Sequence, residues 1–249
     1  MKAYSPKVVI SHKKNKFNNF PSVYHVHVRK TAGTSINKMF LELDENPDEL
    51  YKKIAEENLA VGKKHVYAGW SKRIIEAGNY HYAFSHIPYH ELNLKKRTFC
   101  FTCLRDPIKR LISLYNMLTY YHQHNIPHPG METQREWLGQ NFSDFLELIP
   151  KTELFNQLYM FSSNFNVDEG LENLSKLDLV MSTERLKEAL PILNKTLGVN
   201  LKYTHVRKSK NSIKLTDREY ERLRNILAIE YNFYNQAQLL SNFVKKSYA

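Results

Sequence analysis

Residues 29–35 read Arg-Lys-Thr-Ala-Gly-Thr-Ser, between an alternating apolar run (VYHVHV) and INKMFLEL, whose apolar residues recur at helical spacing. A strand, a turn of small residues and a helix, in that order, aim unpaired backbone N–H groups and the positive end of a helix dipole at one spot, which suits an anion. Gly33 lets the backbone come close, Thr34 and Ser35 add hydroxyls, and Lys30 adds a point charge. An ordinary strand-to-helix turn accounts for the same letters. The loop is not of the G-x-x-x-x-G-K-[ST] type, because its lysine precedes a single glycine. No aspartate ends a later strand to hold Mg²⁺; in LDLVMSTERL the aspartate stands before the strand.

A second constellation is CLRDPIKRLISLYN, residues 103–116. Arg105 leaves a strand apolar enough to be buried on both faces, Asp106 caps the next helix and Pro107 takes its first position. Ser113 returns to the same helix face about two turns later. Arg105 and Ser113 therefore converge near a strand's carboxyl end, where open α/β sheets take ligands, and a guanidinium fork matches a phosphate. A capped helix beside a salt-bridged arginine is the plainer account. His86 closes the run YHYAFSH at the same rim and is a candidate general base, with His81 and His90 as neighbours that compete for the role and a backbone-bonded core histidine as the alternative. His25 and His27 share one strand face and read as packing. His122, His124 and His128 lack a cysteine or carboxylate at ligand spacing, so that loop is read as the wall of a cleft rather than a metal site.

These residues need a scaffold. Strands are expected over 22–29, 80–86, 98–104 and 177–182, with helices over 34–43, from Asn46-Pro47 to 59, over 107–121 and from Thr183. Several helices fill 133–176. Thr216 and Glu219 form a capping box, with Leu215 and Tyr220 as its staple, opening one long C-terminal helix. The alternation implies an α/β fold, a three-layer α/β/α sandwich on a mostly parallel sheet, formed by residues 1–249 as a single domain with 1–20 flexible or peripheral. Cys100 and Cys103 stand at odd separation in one strand and should face opposite ways, which disfavours a disulfide and favours a reducing compartment. No apolar run approaches the roughly 20 residues of a bilayer span, and the N-terminal apolar stretch is too short for a signal peptide. Stable membrane insertion is therefore not expected. The formal charge of +11, from 36 Lys and Arg against 25 Asp and Glu, favours a polyanionic partner: nucleic acid, an anionic sugar or a heavily phosphorylated cofactor.

Two anion sites on strand ends imply a ligand with two separated phosphates, as in 3′-phosphoadenosine-5′-phosphosulfate (PAPS). KTAGTS after a strand, together with RDPIKRLIS, resembles the PAPS-dependent carbohydrate sulfotransferases, with the nearest likeness among heparan sulfate and uronyl 2-O-sulfotransferases. The likeness extends to FSHIPYHEL, LVMSTERL and THVRKSKNSIKLT, spans about 22–116 and 177–238, and is weak over 120–176. It implies the P-loop-like sulfotransferase fold. It also implies that Arg29, Lys30, Thr31, Ala32, Gly33, Thr34 and Ser35 surround the 5′-phosphosulfate. Arg105 and Ser113 would then hold the 3′-phosphate, and Arg207 and Lys208 would close over the cofactor or form only an exposed basic loop. The implied chemistry is in-line sulfuryl transfer without a metal, with His86 as base, Lys30 stabilising the leaving group, and 3′,5′-ADP released. The implied acceptor is a carbohydrate or glycoconjugate, anionic ones included, and not nucleic acid. Arg29 departs from the proline that family members often carry before the lysine. The membrane anchor and lumenal disulfides of the large relatives have no counterpart here, so the expected location is cytoplasmic. The rival readings are an ATP- and Mg²⁺-dependent P-loop kinase and a non-catalytic polyanion-binding protein.

Overall fold

The computed structural model describes residues 16–128, 131–203, 213 and 215–239. Six strands form one sheet: β1 (Ser22–Val26), β2 (Leu59–Val61), β3 (Val66–Gly69), β4 (Tyr82–Ser85), β5 (Thr98–Leu104) and β6 (Leu179–Ser182). Their order is β2-β3-β4-β1-β5-β6, and every pairing is parallel except β2 with β3 at the edge. Central β1 is held in register by both neighbours, with His25 opposite Phe84 of β4 and Phe101 of β5.

Both faces are covered, so TFCFTCL is buried throughout, and Thr102 donates its hydroxyl to the Val26 carbonyl (2.8 Å). One layer packs α1 (Gly33–Leu41), α2 (Pro47–Glu57) and α6 (Leu186–Leu197) on Val23, Tyr82, Phe99, Phe101 and Met181. The other packs α3 (Lys72–Ala77), α4 (Pro107–Gln123), α5 (Val167–Ser175), α7 (Asp217–Ile226) and α8 (Ala228–Leu239) on Tyr24, Val26, Ala83, Leu104 and Val180. Short helical turns over 131–159 join this second layer. Strand alternation puts Cys100 in the second core and Cys103 in the first, on opposite faces as expected. Among the described residues no helix is long and apolar enough to cross a membrane.

Neighbouring strands β1 and β5 send their helices, α1 and α4, to opposite faces. Such a switch point opens a crevice beyond the strands' carboxyl ends. The two anion-suited segments found in the sequence are the two sides of that crevice.

Three elements differ from the sequence expectation. β1 ends at Val26 rather than residue 29, because Val28 N–H turns back to the Val26 carbonyl (3.1 Å) and the His27 carbonyl leaves the ladder to accept from a side chain. The edge hairpin β2–β3 was not foreseen. Its connection is held from outside by the buried Asp44 carboxylate, which accepts from the N–H groups of Lys64 (2.8 Å) and His65 (3.0 Å). The capping box at Thr216 and Glu219 is present, but the C-terminal helix turns at Leu227 instead of running on. Beyond the turn, Glu230 accepts from the N–H groups of Gln157 and Leu158.

Candidate active site

The loop after β1 takes a conformation that L-residues seldom adopt. Lys30 and Ala32 both lie in the left-handed region, at φ 67° and 65°, each at a cost of about 1–2 kcal/mol. Alternation of left- and right-handed residues curls successive N–H groups into a concavity suited to an anion. Ala32 is the residue that caps α1, and it has no side-chain acceptor. The first hydrogen bond of α1 runs from Ile36 N–H to the Ala32 carbonyl (3.0 Å). The preceding amides, of Gly33, Thr34 and Ser35, are thus left uncapped at the positive end of the helix dipole. Thr34 and Ser35 are half-buried, whereas Thr31 is buried and donates to the Val28 carbonyl (2.8 Å), which holds the turn.

Gly33 is small for a reason the sequence did not show. A Cβ at this position would stand 1.8 Å from Cδ2 and Nε2 of His27. The imidazole occupies the space that a side chain would need.

Arg105 comes off β5 and reaches across the crevice, its Nη1 donating to the Lys30 carbonyl (3.2 Å). The guanidinium is half-buried, and that burial pulls its pKa down while Glu184 and Asp106 push it back up. Asp106 caps α4 by accepting from Lys109 N–H (2.9 Å), with Pro107 at the first helical position, as the sequence required. Ser113 is half-buried on α4. Met117 lies one turn beyond it on the same face, and its Sδ is 3.2 Å from Lys30 Nζ, so this face of α4 looks onto the loop.

His86 follows β4, on the other side of β1. Its Nδ1 is 2.6 Å from the His27 carbonyl. A carbonyl only accepts, so Nδ1 carries the proton and Nε2 keeps its lone pair. Burial is the main influence lowering the pKa of this imidazole, to about 4; the His27 carbonyl opposes it, and Arg29 and His128 add to it. The neutral, proton-accepting form therefore prevails at neutral pH. The competing histidines are placed elsewhere. His81 lies at the start of β4, on the opposite rim, where Nδ1 accepts from Val66 N–H (2.9 Å). His90 bonds the Tyr159 carbonyl (3.0 Å).

His27 and His25 form the support behind this centre. The His27 ring lies 4.4 Å from that of His86 and 5.3 Å from that of His25. Asn37 of α1 accepts from His25 Nδ1 (2.8 Å) and from the Tyr82 hydroxyl (2.8 Å). His25, His27, Asn37 and Tyr82 are buried, and burial depresses the pKa of His25 to about 4 and takes that of His27 well below the ordinary value.

The remaining candidates divide. The Arg29 guanidinium is engaged by Glu153 (2.7 Å) and Gln134 (2.9 Å), with its peptide N–H on Asn156 (3.2 Å). His128 faces His86 electrostatically and lies beside the Tyr121 ring (5.2 Å), so the loop reaches the site. His122 and His124 are exposed. Arg207 and Lys208 lie outside the described residues.

Segment 131–159, weak in the sequence comparison, contributes essential supports. Gln157 accepts from Arg105 N–H (2.8 Å) and donates to the Arg105 carbonyl (2.9 Å), clamping that peptide from both sides. The signal was present in LFNQLYMF, where two amides stand in an apolar run; both are buried, and buried amides need partners. Arg110, fully buried on α4, donates to the carbonyls of Glu153 (2.8 Å) and Leu154 (2.6 Å) and faces Glu230 at 3.9 Å.

Comparison with known proteins bears on this arrangement. A search of curated proteins finds no match. Among solved structures, the mouse sulfotransferase SULT7A1 complexed with PAP aligns at 14% identity and a TM-score of 0.41, over 89% of this chain and 69% of that one. A sulfotransferase from Alicyclobacillus acidocaldarius aligns at 11% identity and 0.36, over 96% and 94%. The family model described as "Sulfotransferase family" matches residues 16–235, which take in the loop after β1, His86 and the start of α4. The chain belongs to the sulfotransferase family.

Proposed function

We propose that this chain, acting as one domain, is a PAPS-dependent O-sulfotransferase whose acceptor is a hydroxyl of a carbohydrate or glycoconjugate. The observation that carries the reading is the convergence, on the adjacent strand ends β4, β1 and β5, of a neutral histidine with an unprotonated Nε2, an uncapped helix N-terminus and an arginine fork. The residues fit a ligand bearing two anionic groups. The left-handed turn and the amides of Gly33, Thr34 and Ser35 suit one, and Arg105 with Ser113 suits the other. PAPS, when bound, supplies the sulfuryl group and departs as 3′,5′-ADP. His86 Nε2 takes the proton of the acceptor hydroxyl, and its Nδ1–H, fixed on the His27 carbonyl, stabilises the charge that the ring gains. The Lys30 ammonium, with the uncapped amides, offsets the negative charge growing on the leaving phosphate. The acceptor class rests on the resemblance of KTAGTS, SHIP and RDPIKRLIS to the carbohydrate branch. Cys100 and Cys103, on opposite faces, support a reducing compartment.

His86→Ala tests the assignment. Turnover of PAPS with a glycan acceptor should fall about 10²–10⁴-fold, the usual yield of a positioned base, while calorimetric binding of 3′,5′-ADP stays intact. Undiminished turnover would remove His86 from the role. A wild-type chain that neither binds 3′,5′-ADP nor transfers sulfate would sink the whole reading, and EDTA-sensitive ATP turnover would replace it with a kinase.

A further inference from the structure

Trp70 is half-buried just beyond β3, beside His86, and has no part in the chemistry above. Its backbone stands out. Ser71 N–H bonds the Gly69 carbonyl at 2.7 Å, closing a three-residue turn with Trp70 at its centre and φ at 61°. Three-residue turns with a positive central φ are the rare, strained kind, and a bulky residue is ill suited to them. Strain of this sort gathers where a side chain must be delivered to a particular place.

The indole is delivered to the wall of the candidate active site. It sits edge-to-face on Phe84 (5.3 Å, 85°) and tilted against His86 (5.2 Å, 48°). Phe84 is fully buried and is itself stacked with Tyr51 (6.1 Å, 11°), so the indole rests on a packed ring. His128 and Arg29 act on His86 electrostatically as well, and the indole forms the aromatic wall on the β3 side of that imidazole. A partly exposed aromatic shelf next to a proton acceptor offers a flat, apolar contact to a ring whose hydroxyl points at that acceptor, and indole combines a large face with a polar N–H edge.

We propose that Trp70 is an acceptor-binding residue, its indole forming the shelf on which the sugar ring carrying the attacking hydroxyl lies while that hydroxyl meets His86 Nε2. This rests on the reading of the chain as a sulfotransferase with His86 as base. A purely structural role, bracing the His86 ring, is the competing account, and the two part in the kinetics. Bracing acts on kcat; a shelf acts on the acceptor KM.

The experiment uses Trp70→Gly, since glycine accepts φ 61° freely and the turn is kept. An unsulfated uronic acid–glucosamine octasaccharide is the probe. The acceptor KM should rise about ten- to fiftyfold, the equivalent of losing one aromatic face, with kcat within about threefold and 3′,5′-ADP affinity unchanged. Trp70→Phe should recover most of the loss. Trp70 and Trp137 are the two tryptophans of the chain, so Trp137→Phe leaves Trp70 as the sole emitter. Its fluorescence should shift saturably as octasaccharide is added in the presence of 3′,5′-ADP, a readout independent of turnover. An unchanged acceptor KM, a fall in kcat alone, or an emission blind to an octasaccharide that is being sulfated would overturn the proposal and leave the sulfotransferase reading standing. A wild-type chain that binds no 3′,5′-ADP and sulfates no octasaccharide would overturn both.

Discussion

Replacing Gly33 with alanine adds one methyl group at the junction of the loop and α1, and two accounts of that glycine predict opposite results. If glycine is there only so that a ligand can approach the backbone, the folded chain should accept alanine, and only binding of 3′,5′-ADP should suffer. The structure says otherwise. The new Cβ would lie 1.8 Å from the His27 ring, while non-bonded carbons rest at roughly 3.5–4.0 Å, so one of the two groups must withdraw by about 2 Å. The ring has little room, being held between His25 and His86 and buried against Phe84. Overpacking of this kind costs about 1–3 kcal/mol, and the upper end is expected here. For a chain of this length that corresponds to a fall in Tm of roughly 6–12 °C. Urea unfolding of Gly33→Ala, His27→Ala and the double variant measures the effect as a cycle. Removing the His27 ring vacates the space, so the double variant should be more stable than the sum of the single losses by at least about 1 kcal/mol. A Gly33→Ala chain as stable as the parent, or a cycle without coupling, would refute the steric account and return the glycine to the ligand.

Two further outcomes follow from buried charge. Arg110→Leu leaves Glu230 buried without its cation, and should cost about 3–5 kcal/mol in urea unfolding, part of it restored by Glu230→Gln, whose neutral side chain needs no partner charge. Between pH 6.5 and 4 the unfolded chain binds a proton at His25 that the folded chain, with this pKa near 4, refuses. Stability therefore falls as pH falls through that window and levels off below it, by up to about 3 kcal/mol from His25 alone. Urea midpoints from pH 7.5 to 4.5 should show this slope, and His25→Asn should lessen it by the share of His25, the rest coming from His27 and His86, whose pKa values burial also lowers.

What could be read from the sequence was what local chemistry decides. β5 and the start of α4 stand where TFCFTCL and Asp106-Pro107 place them, because alternation and capping act within a few residues. The parallel sheet followed from alternating elements. The hairpin β2–β3 was hidden because its strands have three and four residues and its turn is held by Asp44, about twenty positions upstream. The clamp of Gln157 on Arg105 spans 52 positions, and only the odd pair of amides in LFNQLYMF betrays it. For Trp70 there was no signal, since the sign of φ is set by how β3 and α3 meet. At Gly33 the His27 ring adds a steric demand to the close backbone approach that the sequence suggests. The residue type is legible, but nothing in VYHVHV shows that the His27 ring lies over the loop.

That ring changes how the site should be understood. His27 touches both halves: its carbonyl fixes the tautomer of His86, 59 positions on, while its imidazole fills the space above Gly33, where the uncapped amides begin. Strand order makes this contact available, because β1 lies between β4 and β5 and a residue at its carboxyl end reaches both His86 and the loop. Asn37 ties the same histidines back to α1 by bonding His25. His86 and the loop are thereby coupled through one residue, and such preorganisation would serve the in-line transfer proposed above, in which base, reacting group and leaving-group cation keep a fixed mutual geometry. His27, which reads as packing in VYHVHV, is thus the joint that holds His86 in register with the loop.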